Sequence, residues 1–351
     1  MHMADALISP VVGGTMWAAT AGIAAYSMKK IQNDLDEKKI PLMGVMGAFI
    51  FAVQLINFSI PGTGSSGHLG GGLLLAIMLG PYAGFLTMAS ILTIQALFFA
   101  DGGLLALGCN VFNLGFFTCL IAYPLIYKKF VGAGYSSKRI FGAAMLSAII
   151  GLQLGAFSVV LETLFSGKTE LPFSTFVLLM QPIHLGIGIV EGLVTATVVT
   201  FIWKARPEIL EQAALSKPLG SISIKKVITG LAIVAAITGG IFSWFASANP
   251  DGLEWSVFKT AGVEEFDAPA GIHQTLAEIQ SKTAFLPDYN FKEPENVNVQ
   301  GSASEEAAAW PAVNAGTSVS GVIGGTMTLV LAVLTGWIIS MLKRRKKQLT
   351  V

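Results

Sequence analysis

The chain has 351 residues, of which 53% are hydrophobic and only 12% charged, and its mean hydropathy is +0.67. Soluble domains carry about 25% charged residues, so the polar surface here is too small to clothe a water-soluble globule and the bilayer must solvate most of the chain. The net charge of +1, with basic residues scattered in short clusters between apolar runs, speaks against a nucleic-acid-binding surface.

Residues 1–9 offer no positive stretch ahead of the first apolar run, and Lys29 and Lys30 follow it, so no cleavable signal peptide is expected and the first run reads as a retained helix. Apolar runs near the bilayer-spanning length of about 20 residues fall at 10–28, 41–57, 81–99, 109–127, 140–161, 175–203, 226–247 and 321–342. A shorter run, 69–79, ends at Gly80-Pro81 and cannot cross alone. It reads as a short or buried helix that still changes sides by leaning on its neighbours.

With nine crossings and the N-terminus outside, eighteen Lys and Arg residues are cytoplasmic and only Lys168, Lys259, Lys282 and Lys292 lie outside. The flipped arrangement violates the positive-inside rule. The expected protein is an all-α integral membrane protein of the cell inner membrane, with a cytoplasmic C-terminus. Residues 1–205 form a seven-helix bundle, 206–225 a cytoplasmic linker, and 226–351 a second segment whose two transmembrane helices flank an external loop, 249–320. That loop holds Pro250, Pro269, Pro287, Pro294 and Pro311 and eleven acidic residues against three lysines. Its negative balance either attracts cations or keeps an exposed loop soluble.

Met1-His2-Met3 is the most informative stretch. A histidine at position two offers one metal the free α-amine, its own deprotonated amide and its imidazole, in fused chelate rings that favour a plane. Square-planar nitrogen coordination suits Ni(II) or Cu(II). The loop from Pro61 to Gly72 lies on the same side and carries His68 among glycines. Gly62 to Gly67 has the spacing of a phosphate-cradling loop, but His68 and Leu69 stand where Lys and Ser/Thr are required. Two histidines on one side make a shared metal site the sharper reading; a polar anchor beside a chance terminal residue is the blander one.

His184 and Glu191 lie seven residues apart, two turns on one helix face. Ionisable groups in a transmembrane helix face the bundle interior, as metal ligands, as supports for a ligand, or as hydrogen-bonding partners of neighbouring helices. Asn110 and Asn113, one turn apart, raise the same choice. Cys109 and Cys119 on one helix would be roughly 15 Å apart, too far for a disulfide, and read as packing residues. Small-residue spacings (Ala18/Gly22, Ala21/Ala25, Gly151/Gly155, Gly188/Gly192, Gly321/Gly325) mark close helix packing, and the first helix, which carries two of them, can also dock a partner. No HExxH, GxSxG, Walker A or dinucleotide-binding pattern occurs in a suitable context, so an enzyme is not expected, and a transporter would draw its energy from another subunit.

Four stretches together resemble the CbiM/NikM family: Met1-His2-Met3-Ala4-Asp5-Ala6-Leu7-Ile8-Ser9-Pro10, Ser66-Gly67-His68-Leu69-Gly70-Gly71, Ala106 to Gly115, and His184 to Gly192. These are substrate-specificity components of energy-coupling factor transporters for Ni(II) and Co(II). The resemblance covers residues 1–205. Asn249-Pro250-Asp251-Gly252-Leu253-Glu254-Trp255 is similar to the PDGLE-type NikN partner, here in the same chain, which tilts the metal toward nickel. The resemblance implies that the Met1 amine, the His2 amide and imidazole, and the His68 imidazole are the metal ligands, with no organic cofactor. It also implies that the first helix, through Ala18, Ala21, Gly22 and Ala25, contacts a transmembrane coupling protein of the EcfT/NikQ/CbiQ type carrying two cytoplasmic ATPases of the NikO/CbiO type. Competing readings are a substrate-specific component for another small solute such as a vitamin, a membrane enzyme using His184 and Glu191, and a non-transporting assembly subunit.

Overall fold

The computed structural model describes residues 2–32, 35–132, 134–292 and 310–348; Met1 and Pro294 lie outside the described residues. Helix α1 spans Pro10–Ile31. Ser9 caps it, its hydroxyl accepting from Val12 N at 3.3 Å, and Pro10 supplies the first helical position. Helix α2, Lys39–Gln54, is followed by a small antiparallel hairpin, β1 (Phe58–Ile60) and β2 (Ser65–Gly67), with Phe58 opposite Gly67 and Ile60 opposite Ser65. The other helices are α3 (Gly72–Leu79), α4 (Pro81–Phe99), α5 (Leu107–Val131), α6 (Ser137–Phe165), α7 (Phe173–Ala205), α8 (Pro207–Ala214), α9 (Lys225–Gly240), α10 (Gly252–Ala261), α11 (Ile272–Thr283) and α12 (Ala315–Gln348).

Each of the nine apolar runs thus carries a helix, and among the described residues five helices, α4, α5, α6, α7 and α12, are long and apolar enough to cross a membrane. Helix α9 stops at Gly240, short of the expected 226–247, and a turn over Phe242–Phe245 takes over. Gly239 just before it is a packing residue: a Cβ there would lie 3.1 Å from the backbone of Gly321. Helix α3, at eight residues, rises only about 12 Å. Its first end adjoins the His68 loop, while Gly80 at its other end lies beside the Ala213 carbonyl of α8. Gly80, with φ 86°, turns the chain straight into α4, and Gly84 then packs on the backbone of Ala76.

Small residues set the helix contacts. A Cβ at Gly188 would sit 2.9 Å from Ile149 Cα, and one at Gly192 would sit 2.8 Å from Met145 Cα, so α7 meets α6 backbone to backbone. Gly151 of α6 faces Thr118 and Ala122 of α5. The second segment is no loose appendage. Gly44 and Gly47 of α2 receive Val333 and Thr328 of α12, Gly324 of α12 lies on the Phe51 ring, and α9 packs on both α2 and α12. Cys109 and Cys119 are buried and unpaired, as expected of packing residues.

Candidate metal site

The stretch between His2 and Ser9, which includes a 3-10 turn over Asp5–Leu7, is held at several points. Met3 is fully buried; its N–H donates to Asn110 Oδ1 at 2.8 Å, and its carbonyl accepts from Gly103 N at 2.9 Å and Asn110 Nδ2 at 3.2 Å. Asp5 accepts from Ala106 N at 2.9 Å, and His273 of α11 donates to the Ile8 carbonyl at 2.8 Å. Burial pushes the Asp5 carboxyl above its ordinary range. Residues Met3 to Ile8 are therefore pinned, and His2 is delivered to a fixed place.

That place is against His68. The two imidazoles stack with centroids 5.0 Å apart and planes within 6°. His2 Nδ1 lies 3.1 Å from Asp101 Oδ1, and His2 Nε2 is buried with no hydrogen-bond partner. His68 Nδ1 donates to the Leu69 carbonyl at 3.1 Å, which fixes the tautomer and leaves Nε2 as the nitrogen with a lone pair. Burial pushes the His68 pKa down to about 3, so the ring is neutral at physiological pH, the state a metal ligand requires. Burial opposes ionisation of Asp101, but the charge and hydrogen bond of His2 and the hydrogen bond from Tyr289 outweigh it and bring its pKa to about 2.

Glu191 holds the His68 loop from below. Its carboxylate accepts from Gly70 N at 2.7 Å and from Gly71 N at 3.2 Å. Gln54 donates to the Gly70 carbonyl at 2.8 Å and accepts from Gln95 Nε2 at 3.0 Å. Gly71, with φ 79°, is in the left-handed region that glycine adopts without cost. Glu191→Ala would leave two buried amides without an acceptor, at about 1–3 kcal/mol each. A marked fall in the thermal unfolding midpoint in detergent is therefore expected for that variant, with a smaller fall for Glu191→Gln, which keeps one acceptor oxygen. Equal midpoints for both variants and the parent protein would remove Glu191 from this role.

His184, on the same face as Glu191, donates to the Met180 carbonyl at 2.8 Å, and its buried Nε2 has no partner. It borders a small cavity of ≈10 Å3 with His68, Asp251 and Gly252, room for about one water-sized atom. Asn113 donates to Glu162 at 2.8 Å and comes within 3.8 Å of Met3 Sδ. The structure thus gathers His2, His68, Asn110 and His184 at one place, with Glu191 and Asn113 just behind. Ala18, Ala21, Gly22 and Ala25 lie elsewhere, along an exposed face of α1, and nothing stands within 4 Å of where a Gly22 Cβ would be.

The second segment reaches into the site. Ser66 N donates to the Pro250 carbonyl at 2.8 Å and Ser66 Oγ to the Asn249 carbonyl at 2.8 Å, so the hairpin before His68 pairs with the chain leading into α10. Asp251 caps α10, accepting from Leu253 N at 2.7 Å and Glu254 N at 2.8 Å, while Glu254 accepts from Asp251 N at 3.0 Å, a reciprocal capping box. Gly252 lets this turn close on His184: a Cβ there would lie 3.5 Å from His184 Cε1 and 2.5 Å from Ile183. Tyr289 donates to the second oxygen of Asp101.

Reading the sequence alone overlooked Asp101, Asp251 and Tyr289 as parts of the site. Asp101 carried a signal, being an acidic residue at the end of an apolar run directly before Gly102-Gly103. Tyr289, in a proline-rich loop 188 residues from Asp101, carried none. Among the described residues no three His, Cys, Asp or Glu side chains form a metal cage.

Residues 2–209 match the CbiM family, described as a cobalt uptake substrate-specific transmembrane region, and residues 225–341 match the PDGLE domain. The chain is 33% identical over 315 residues to the fused nickel transport protein NikMN of Rhodobacter capsulatus, covering 82% of this chain and 88% of that one. It is 28% identical over 219 residues to the cobalt transport protein CbiM of Sorangium cellulosum, covering 60% and 95%. The fold resembles a crystal structure described as a truncated transition metal transporter, with a TM-score of 0.52 and 29% identity over 58% of this chain and 99% of that chain.

Proposed function

The chain belongs to the CbiM family of substrate-specific transmembrane proteins, and on that premise we propose that it binds Ni(II) with high affinity, Co(II) being the second candidate, as the metal-selecting component of an ATP-driven energy-coupling factor transporter. The stacked pair His2 and His68, with the His68 ring buried and neutral, carries this reading. The metal is substrate, and its four nitrogens are the Met1 amine, the His2 amide, the His2 imidazole and the His68 imidazole. A chelate running from the amide of His2 to its own ring closes through Nδ1, the nitrogen that now faces Asp101. Loading therefore frees Nδ1 from Asp101 and turns the His2 ring about its Cβ–Cγ bond, which brings Nε2–H round to the side facing the carboxylate.

A planar set of four nitrogens suits Ni(II) and disfavours Zn(II), which prefers a tetrahedron. Cu(II) binds such sets more tightly, so copper must be kept away by its scarcity. The relatives named for nickel and cobalt transport support this substrate class. Titration of the detergent-purified full chain with Ni(II) tests the reading: one equivalent with a planar d–d spectrum is expected, and no binding refutes it.

The chain holds no nucleotide-binding pattern, so the driving force comes from partners: a transmembrane coupling protein with two cytoplasmic ATPases. The exposed stripe Ala18, Ala21, Gly22 and Ala25 on α1 is the surface we assign to that coupling protein, since small residues allow helix backbones to approach closely within a bilayer. Ala21→Leu combined with Gly22→Leu is expected to abolish co-purification with the coupling protein while one Ni(II) per chain is still bound. Undiminished co-purification would move the docking surface elsewhere. In this scheme the N-terminus and the loop 249–320 are extracytoplasmic, and the membrane is the inner one.

A further inference from the structure

Tyr289 supplies no metal ligand, and its loop lies in the PDGLE segment, far along the chain from the residues that do. Its hydroxyl nevertheless donates to Asp101 Oδ2, while Asp101 Oδ1 receives His2 Nδ1 at 3.1 Å. One carboxylate thus joins the second segment of the chain to a histidine of the metal site. We propose that Tyr289 is a positioning residue for the metal site, holding Asp101 where it accepts from the His2 imidazole, through Nδ1 in the metal-free site and through Nε2 once Nδ1 is bound to metal. The proposal rests on the reading of His2 as a ligand.

The chemistry behind it is general. A metal-bound imidazole keeps one N–H, and the acceptor of that N–H sets the ring's orientation and tautomer and raises its donor strength. A carboxylate serves well only if its own rotation is stopped. Asp101 sits where α4 ends and the chain turns toward α5, and its side chain is 22% exposed, so without a second partner it could swing outward. Tyr289 occupies the other oxygen and stops that rotation.

Tyr289 is itself immobilised. Its ring stacks on Phe99 at 5.0 Å and meets Phe51 edge-on at 6.1 Å. The turn that presents it places both Asp288 and Tyr289 in the left-handed region, with φ 49° and 59°, a conformation that non-glycine residues hold only where surrounding contacts enforce it. Those contacts are present on both sides of Asp101: Leu286 N donates to the Phe98 carbonyl at 3.3 Å, and Gln280 Nε2 donates to the Ala96 and Gly102 carbonyls at 2.8 Å each. The second segment thereby grips the polypeptide around the aspartate as well as the aspartate itself.

Removing only the hydroxyl tests this, because Tyr289→Phe keeps the ring and its stacking. Full-length protein with a native N-terminus is loaded with one Ni(II), and release to excess chelator is followed by the loss of the d–d band. Loss of such an outer partner costs about ten- to a hundredfold in metal affinity, so Tyr289→Phe is expected to release nickel about ten- to a hundredfold faster than the parent, with the band position still that of a planar ion. Asp101→Asn is expected to do at least as much, and the double variant no more than Asp101→Asn alone, since both act through one contact. In metal-free protein, Tyr289→Phe is expected to speed deuterium uptake in the peptide from His2 to Ile8.

Parental release rates in Tyr289→Phe overturn the proposal, as does a double variant whose rate is the product of two independent effects. The reading beneath it fails separately: nickel retained by His2→Ala sinks the ligand assignment, whereas nickel lost from His2→Ala with parental release from Tyr289→Phe sinks only the role of Tyr289.

Discussion

His2→Ala and His68→Ala are each expected to weaken Ni(II) binding by at least a hundredfold, the largest single-residue effects in the protein. A structural metal site with four protein ligands is worth about 10–16 kcal/mol in apparent binding free energy, so one nitrogen of four accounts for about 3 kcal/mol, or more than a hundredfold in affinity. The two variants fail for different reasons. Without the His2 ring the fused chelate loses its outer ring and Asp101 loses the group it faces. Without the His68 ring the fourth corner of the plane is open, and a void replaces a buried side chain. His184 and Asp251 border the same cavity as His68, and their presence should not rescue either variant, because neither can restore a planar nitrogen set. Titration of each variant beside the parent, read by bound metal and by the planar d–d band, checks this. Parental affinity in both variants would discard the site altogether.

Much of the fold was legible because the bilayer imposes a simple rule: a run of apolar residues with no charge becomes a helix, and every one of the nine runs did. The pairing of His2 with His68 was legible for a related reason, since the crossings expected from the apolar runs put both on one side. Contacts were not legible where they join distant parts of the chain. Nothing local in α2 announces that Gly44 and Gly47 receive α12, because a glycine in an apolar helix fits many partners equally well. Glu191 was visible as an expensive buried charge, but its task of holding the amides of Gly70 and Gly71 depends on the tertiary placement of a loop 120 residues away. Asp101 and Tyr289 were hidden more deeply. An aspartate at a helix end and a tyrosine in a polar loop are both ordinary by composition, and only their meeting gives them a role.

A second large effect is expected from lengthening the chain at its N-terminus, and it separates the terminal-chelate site from any site made of side chains alone. A Gly-Ser extension ahead of Met1 removes the amine from its place one residue before His2 and so breaks the fused rings. The ion is left with two imidazoles, and the loss should exceed that of His2→Ala, about a thousandfold or more by the same per-ligand estimate. The protein cannot adapt by sliding the chain. Met3 is fully buried and bonded to Asn110 and Gly103, Asp5 is bonded to Ala106, and Ile8 to His273, so a shift of one residue would break all of these together. The extension should therefore leave the fold and the thermal midpoint of the metal-free protein unchanged while abolishing the planar spectrum. Proteolytic removal of the two added residues should restore one equivalent of bound nickel. A site built from His2, His68 and the neighbouring carboxylates would behave oppositely, binding metal with or without the extension. Undiminished binding by the extended chain would thus assign the metal to side chains and remove the main-chain nitrogens from its shell.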